Sequence, residues 1–383
     1  MSAQSQSVLF CGAWDEGPGY PRTTALRAGL QSIGMNVREC RMPGLGASKK
    51  KLLRQPWRWP AAWWQQRQQK RRLRTSLAEA LQKETPRCVV VPYPGHLMVR
   101  EVAARSRVPV VLDLFLSAYD TCVEDRQLVA PGSIGAAWLQ RLDRRACAAA
   151  DLVLLDTPEN AAYVAELTGL PAERFAWLPV SDPDAPTSPA PWQASCNGML
   201  RVLFFGTGVP LHGLRTLIGA ITMVPQVELT LVGGTAVDRA YAQALLGDRL
   251  VLEPEFVARD RLQELLAQSQ LVAGVFGEGG KTQRVVPFKL VHALAAGRPV
   301  ITADTPAVAG WLEGCGAIWT VPAADAVALA EQLCELAANP SRVESAAGVA
   351  RAAYDRHFAT PVTGGRWREL LVRADLGKGR SPR

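Results

Sequence analysis

The stretch Gly277–Asp304, GEGGKTQRVVPFKLVHALAAGRPVITAD, sets a glycine-rich turn, three cations and a short amphipathic helix directly before an apolar strand. Glycines let backbone amides come close to a ligand, and the helix that follows aims the positive end of its dipole at whatever occupies the turn. Such a layout suits phosphate: Gly277, Gly279 and Gly280 with Lys281, Arg284 and Lys289 can surround a nucleotide diphosphate. A lone glycine-rich loop is also what an ordinary solvated connection looks like. The rest of the chain has to weigh the two.

Outward from this stretch, the second half is a series of short apolar runs, LRVLFFG (200–206), VELTLVGG (227–234), RLVLE (249–253), LVAGVFG (271–277), RPVITAD (298–304) and GAIWTV (316–321), separated by helical segments. None alternates cleanly, the pattern of parallel strands covered by helices on both faces. The first half repeats the scheme. Strands are read at SVLFCGAW (7–14), MNVRECR (35–41), RCVVVPYPG (87–95), VPVVLDLFLS (108–117) and DLVLLDT (151–157), and helices at 23–34, 75–84, 96–106 and 136–150. Between Ser181 and Gly198 lie four prolines and no period, which reads as a linker. The expected class is therefore α/β with two Rossmann-like domains, residues 1–180 and 200–360, a linker at 181–199, and a C-terminal helix and tail at 361–383. In such folds ligands sit at the carboxyl ends of the strands, which makes a cleft between domains the expected site.

At 383 residues and 48% hydrophobic, the chain can bury two cores. No window reaches the roughly 18 consecutive apolar residues of a membrane span, and the N-terminus lacks a secretory pattern, so a cytoplasmic location is expected. The eight cysteines are scattered without a CxxC pair and read as reduced, mostly buried thiols. No metal site and no cofactor are indicated. The net charge of +8 has one source: Ser48–Arg74 carries ten Lys and Arg and no acid, while the remainder holds 33 basic and 35 acidic residues.

LRVLFFGTGVPLHGLRTLIGAI (200–221), VELTLVGG and KTQRVVPFKLVHALAAGRPVITAD (281–304) together resemble the donor domain of retaining glycosyltransferases of family 4, which have the GT-B fold, its two Rossmann-like domains facing across a cleft. The resemblance spans about 200–338. PGYPRTTALRAGL (18–30), DLFLSAYDT (113–121) and ADLVLLDT (150–157) look like one bacterial branch of the same family. It implies transfer of a sugar from a nucleotide-sugar to an acceptor hydroxyl with retention of configuration. On the donor side it implies Gly206, Thr207, Gly208 and His212 in the first loop, then Gly277, Gly279, Gly280, Lys281, Arg284, Pro287, Phe288, Lys289 and His292. Lys281, Arg284 and Lys289 would neutralise charge growing on the leaving phosphate.

The departures are specific. Relatives often carry two glutamates separated by seven residues, and these positions are Arg284 and His292 here. His292 can contact ribose hydroxyls only as a weaker, pH-dependent acceptor. Where many relatives place an arginine and a lysine on the donor phosphates, this chain has GTGVPLHG (206–213). On the acceptor side, Gly17, Gly19, Tyr20 and Arg22 follow the first strand, and His96, Asp113, Tyr119 and Asp120 follow later ones. Asp120 could orient an acceptor hydroxyl or simply cap a helix.

Trp57, Trp59, Trp63 and Trp64 lie inside the ten-cation segment 48–74, a mixture that fits anionic headgroups and the membrane interface. The composite expectation is a glycosyltransferase at the cytoplasmic membrane face acting on a lipid-linked or envelope glycan in polysaccharide biosynthesis. A catalytically degenerate scaffold and a nucleic-acid-binding protein are the alternatives; no P-loop, RNP-like strand or zinc-finger spacing supports the latter.

Overall fold

The computed structural model describes residues 6–14, 16–17, 21–42, 59–195, 197–312 and 314–377; the side chains of 59–66 and 376–377 also lie outside the described set. The chain forms two compact units. One comprises Met1–Val123, Val129–Ser181 and Thr360–Arg383, the other Glu124–Leu128 and Asp182–Ala359.

The first unit holds strands β1 (Ser7–Ala13), β2 (Asn36–Met42), β3 (Cys88–Val91), β4 (Val110–Asp113), β5 (Leu152–Leu155) and β6 (Phe175–Trp177), all parallel, in the order β2-β1-β3-β4-β5-β6. Successive side chains of a strand point to opposite faces, and β1 shows it. Leu9 and Cys11 join the core beneath the helices Trp59–Lys83, Val99–Ala103, Ile134–Ala149 and Pro158–Thr168. Val8 and Phe10 join the core beneath Pro21–Ser32 and Thr360–Gly377. That last helix completes the unit. Trp367 is fully buried and its indole N–H donates to the Leu26 carbonyl at 3.1 Å. Gly29 makes the approach possible, since a Cβ there would stand 2.9 Å from Trp367 Cδ1.

The second unit holds β7 (Leu200–Gly206), β8 (Val227–Gly233), β9 (Leu250–Leu252), β10 (Leu271–Ala273), β11 (Val300–Ala303) and β12 (Ile318–Val321), again all parallel, in the order β12-β11-β10-β7-β8-β9. The order in which strands are added reverses between β7 and β10, and their diverging connections leave a crevice at the carboxyl ends of those two strands.

All the strands read from the sequence are present. Two differences have physical causes. Helix Trp59–Lys83 is one element of 25 residues rather than a helix beginning near Thr75, because Pro60 falls in its first turn, where no amide is needed, and nothing after it breaks the helix. Helix Pro158–Thr168 and strand β6 have no strong period. Their signals are local instead: Thr157 Oγ1 accepts from the Asn160 amide at 3.1 Å, Pro158 opens the helix, and Gly169 ends it at φ +61°.

Candidate functional site: a buried, unpartnered lysine at the crevice of the second unit

Two loops meet at the β7/β10 crevice. The loop after β7 runs through Gly206, Thr207 and Gly208 into the turn Pro210–His212; the loop after β10 runs through Gly277 to the helix Gly280–Arg284. They are sewn together by backbone: the Phe276 amide donates to the His212 carbonyl and the Gly277 amide to the Leu211 carbonyl, both at 3.1 Å. Gly213 permits this closeness. It has φ +57°, and a Cβ on it would lie 2.4 Å from the Phe276 carbonyl carbon.

Behind the loops starts the helix Phe288–Ala295, with Pro287 at its N-cap and no side chain capping it. Lys289, in its first turn, is 6% exposed, and its Nζ has no hydrogen-bond partner. The ammonium stands over the Phe204 ring, 3.7 Å from the centroid, and burial pushes its pKa well below the ordinary lysine value. His212 packs edge-on against the same ring at 5.6 Å; burial and then the neighbouring Lys289 push its imidazole down to about 2, and its Nδ1 is buried without a partner. Two basic groups and an uncapped helix start therefore share one place with no anion among the described residues to compensate them. Burying a charge without a partner costs several kcal/mol, so the arrangement makes sense if an anion arrives from outside.

The other cations of the stretch are placed differently. Lys281 Nζ lies 3.4 Å from Asp125 Oδ2, both buried, and Arg284 Nη2 lies 3.2 Å from Glu124 Oε2. Of the three cations expected to neutralise phosphate, Lys281 and Arg284 each have a carboxylate beside them, and Lys289 Nζ has no hydrogen-bond partner. His292 stacks on Phe205 (6.0 Å, 24°) and touches Phe288 (4.2 Å). Its Nε2 is 3.5 Å from Asp182 Oδ2, and Asp182 in turn accepts from Arg259 Nη2 at 3.0 and 3.1 Å. Burial lowers the His292 pKa while Asp182 pulls it upward, and Nδ1 remains buried and unpartnered.

In the first unit Arg22, Asp113 and His96, three of the expected acceptor-side residues, lie in buried polar networks. Arg22 donates through Nε and Nη2 to Asp113 Oδ1 at 2.9 and 2.8 Å, through Nη2 to the Leu155 carbonyl at 3.0 Å, and through Nη1 to the Leu178 carbonyl. Both residues are buried. Burial raises the Asp113 pKa against the pull of Arg22. Arg22 and Asp113 together clasp the carboxyl ends of β4, β5 and β6. His96 lies with Nε2 3.1 Å from Asp143 Oδ1, and Asp143 also accepts from Ser117 Oγ (2.7 Å) and from the Ala118 and Tyr119 amides (3.0 Å each). Burial alone would raise the Asp143 carboxyl, but His96, Tyr119 and Ser117 hold it below the usual value. Asp120 is buried in the first turn of a π-helix, its amide donating to Ser117 Oγ at 3.0 Å. Gly17 is exposed; Gly19 and Tyr20 lie outside the described residues, as do 48–58 of the basic segment and Trp57.

Asp143, Asp182, Glu124 and Asp125 were invisible as partners in the linear reading. Only Asp143 carries a signal: it sits on the apolar face of its helix with Ala136, Leu139, Ala146 and Cys147, where an acid needs a reason. Among the described residues no cluster of three or more His, Cys, Asp or Glu can hold a metal ion, and seven cysteines are free thiols, five of them buried.

Two Rossmann-like units, one with a buried, unpartnered lysine near the topological switch point of its sheet, define a doubly wound α/β class. Comparison with known proteins narrows it. Residues 4–181 match the glycosyl transferase 4-like domain and residues 200–339 the glycosyl transferases group 1 domain. The chain belongs to the group 1 glycosyltransferases. Sucrose-phosphate synthase from Thermosynechococcus elongatus superposes with a TM-score of 0.68 at 15% identity, over 97% of this chain and 99% of that one. Anabaena HepE in complex with UDP-glucose gives 0.66 at 16%, over 96% and 99%. TarM of S. aureus, crystallised with UDP and alpha-GlcNAc-glycerol, gives 0.57 at 11%, over 78% and 59%. These likenesses show the GT-B fold. No curated protein sequence matches the chain.

Proposed function

We propose that the chain is a retaining glycosyltransferase that binds the diphosphate of a nucleotide-sugar against Lys289, His212 and the start of helix Phe288–Ala295. The observation that carries this reading is Lys289, a buried lysine whose Nζ has no hydrogen-bond partner at the switch-point crevice. HepE bound to UDP-glucose and TarM bound to UDP support a nucleotide-sugar as donor.

In this reading the acceptor oxygen bonds to the anomeric carbon as the bond from that carbon to the diphosphate oxygen breaks. The electron pair passes to the phosphate, which takes the acceptor proton on the same face of the sugar. The chain's share is positional and electrostatic. Lys289 offsets the growing charge, the amides of the two glycine loops hold the phosphates, and Lys281 and Arg284 add positive potential shared with Asp125 and Glu124. His292 takes the ribose side as a neutral imidazole, and Asp120 stands on the acceptor side. Positive charge supplied in this way does not call for a metal. The acceptor we assign is a lipid-linked or envelope glycan at the cytoplasmic membrane face, reached through the basic segment 48–74.

A second reading, a fold kept without turnover, is favoured by one observation: Arg284 and His292 stand where relatives have carboxylates. Incubation with UDP-, GDP-, ADP- and dTDP-sugars and anionic vesicles separates the readings. Saturable binding of one donor with slow nucleotide release, and a product of unchanged anomeric configuration by NMR, is expected. Binding without any turnover would select the second reading, and binding of no donor would contradict the first and favour a degenerate scaffold or a nucleic-acid partner.

A further inference from the structure

Helix Ile134–Ala149 presents an outward face that the reaction does not use. Ile134 is 90% exposed and Trp138 58%, and Leu97, 40% exposed, lies in the turn Gly95–Leu97 packed against this helix. Apart from Val372 on the opposite layer, these are the large exposed apolar side chains among the described residues of the first unit. Arg141 and Arg145 continue the stripe of Ile134 and Trp138 at positions seven and eleven along the helix, so all four share one side. Arg144 is exposed beside them, and the helix's one acid, Asp143, is buried on the other side. The outward surface is therefore apolar at its N-terminal end and of a single charge sign beyond it.

Position adds a second constraint. The helix connects two parallel strands, β4 and β5, so it starts at the carboxyl edge of the sheet and returns to the amino edge. Ile134 and Trp138 thus stand at the carboxyl edge, where an α/β unit meets its ligands. On the same layer, across Val99–Ala103, lies helix Trp59–Lys83 with Arg67, Arg71 and Arg72 exposed.

We propose that this face docks on an anionic bilayer, with Ile134 and Trp138 entering the interface and Arg141 and Arg145 meeting headgroup phosphates. Indole beside aliphatic, followed by arginines, matches the order apolar boundary then anionic headgroup. A second copy of the chain is disfavoured because a two-fold contact would bring arginine faces together. The inference rests on the membrane part of the reading above but on a different helix.

The test is flotation of the full chain with vesicles of phosphatidylglycerol and phosphatidylcholine, for wild type, Ile134→Ser/Trp138→Ser, Arg141→Gln/Arg145→Gln and Arg67→Gln/Arg71→Gln/Arg72→Gln. All substituted side chains are exposed, and nucleotide-sugar binding, measured separately, reports on the donor site alone. The serine pair is expected to lower partitioning about tenfold or more at every salt concentration. The Arg141/Arg145 pair should lower it strongly at low salt and weakly at high salt. Unchanged partitioning of the serine pair overturns the proposal. So does release by the Arg67/Arg71/Arg72 variant alone, which leaves the basic helix as the only membrane contact, and so does loss of self-association by the serine pair with vesicle binding intact, which assigns the face to a second copy.

Discussion

Each unit buries basic groups at the carboxyl edge of its sheet, and the two treat them in opposite ways. In the first, Arg22 finds a carboxylate and two carbonyls, and His96 lies against an aspartate that holds three further donors. In the second, Lys289 has a ring face and His212 Nδ1 has nothing. Burial by itself therefore does not mark a functional group. A buried basic group set against a carboxylate serves the fold; one with no carboxylate beside it is the candidate for a ligand.

Substitution at these residues should give effects of opposite sign. Arg22→Met leaves Asp113 buried and unpaired, and loss of one partner of such a pair costs about 3–5 kcal/mol; denaturant unfolding of the first unit should show that loss. Gly213→Ala tests the loop junction. Positive φ and a Cβ 2.4 Å from the Phe276 carbonyl carbon should together cost about 2–3 kcal/mol and move the loops apart. Lys289→Met should instead raise stability by about 1–2 kcal/mol. Losing a cation–π contact forfeits up to about 2 kcal/mol, but the several kcal/mol of ammonium desolvation disappear with it. A destabilised Lys289→Met protein would remove the contrast between the units.

The smallest effect is in pH. His212 is depressed to about 2 from its ordinary value of 6.5, so the unfolded chain binds the extra proton first. Its contribution to stability is therefore full above pH 6.5 and is lost as pH falls toward about 2. One proton limits the slope to about 1.4 kcal/mol per pH unit. Unfolding measured from pH 7 to 4 should flatten in His212→Gln, and an unchanged slope would mean that His212 is solvated.

How much of this was legible follows from where the residues lie in the chain. The crevice at β7 and β10 is built from two continuous stretches, 206–213 and 277–292, so its glycines, cations and helix start can be read together. Strand order put them at the switch point. The networks of the first unit join residues 22, 96, 113, 117 and 143, and nothing in a linear pattern says that Arg22 reaches Asp113. The same limit applied inside the crevice: Lys281, Arg284 and Lys289 look alike in sequence, and only folding gives the first two their carboxylates. Helix Trp59–Lys83 was hidden because a run of cations masks helical periodicity.

The donor site stands or falls with Lys289 as the counter-charge of a diphosphate. Calorimetric titration of wild type and Lys289→Met with the best-bound of UDP, GDP, ADP and dTDP, in two buffers of different ionisation enthalpy, puts that role to the test. Wild type should take up protons on binding, as the depressed Lys289 and His212 regain charge beside the phosphates. Lys289→Met should bind about a hundredfold more weakly, with less proton uptake, while remaining folded. Equal affinity in the two proteins, with no proton uptake in wild type, would contradict it.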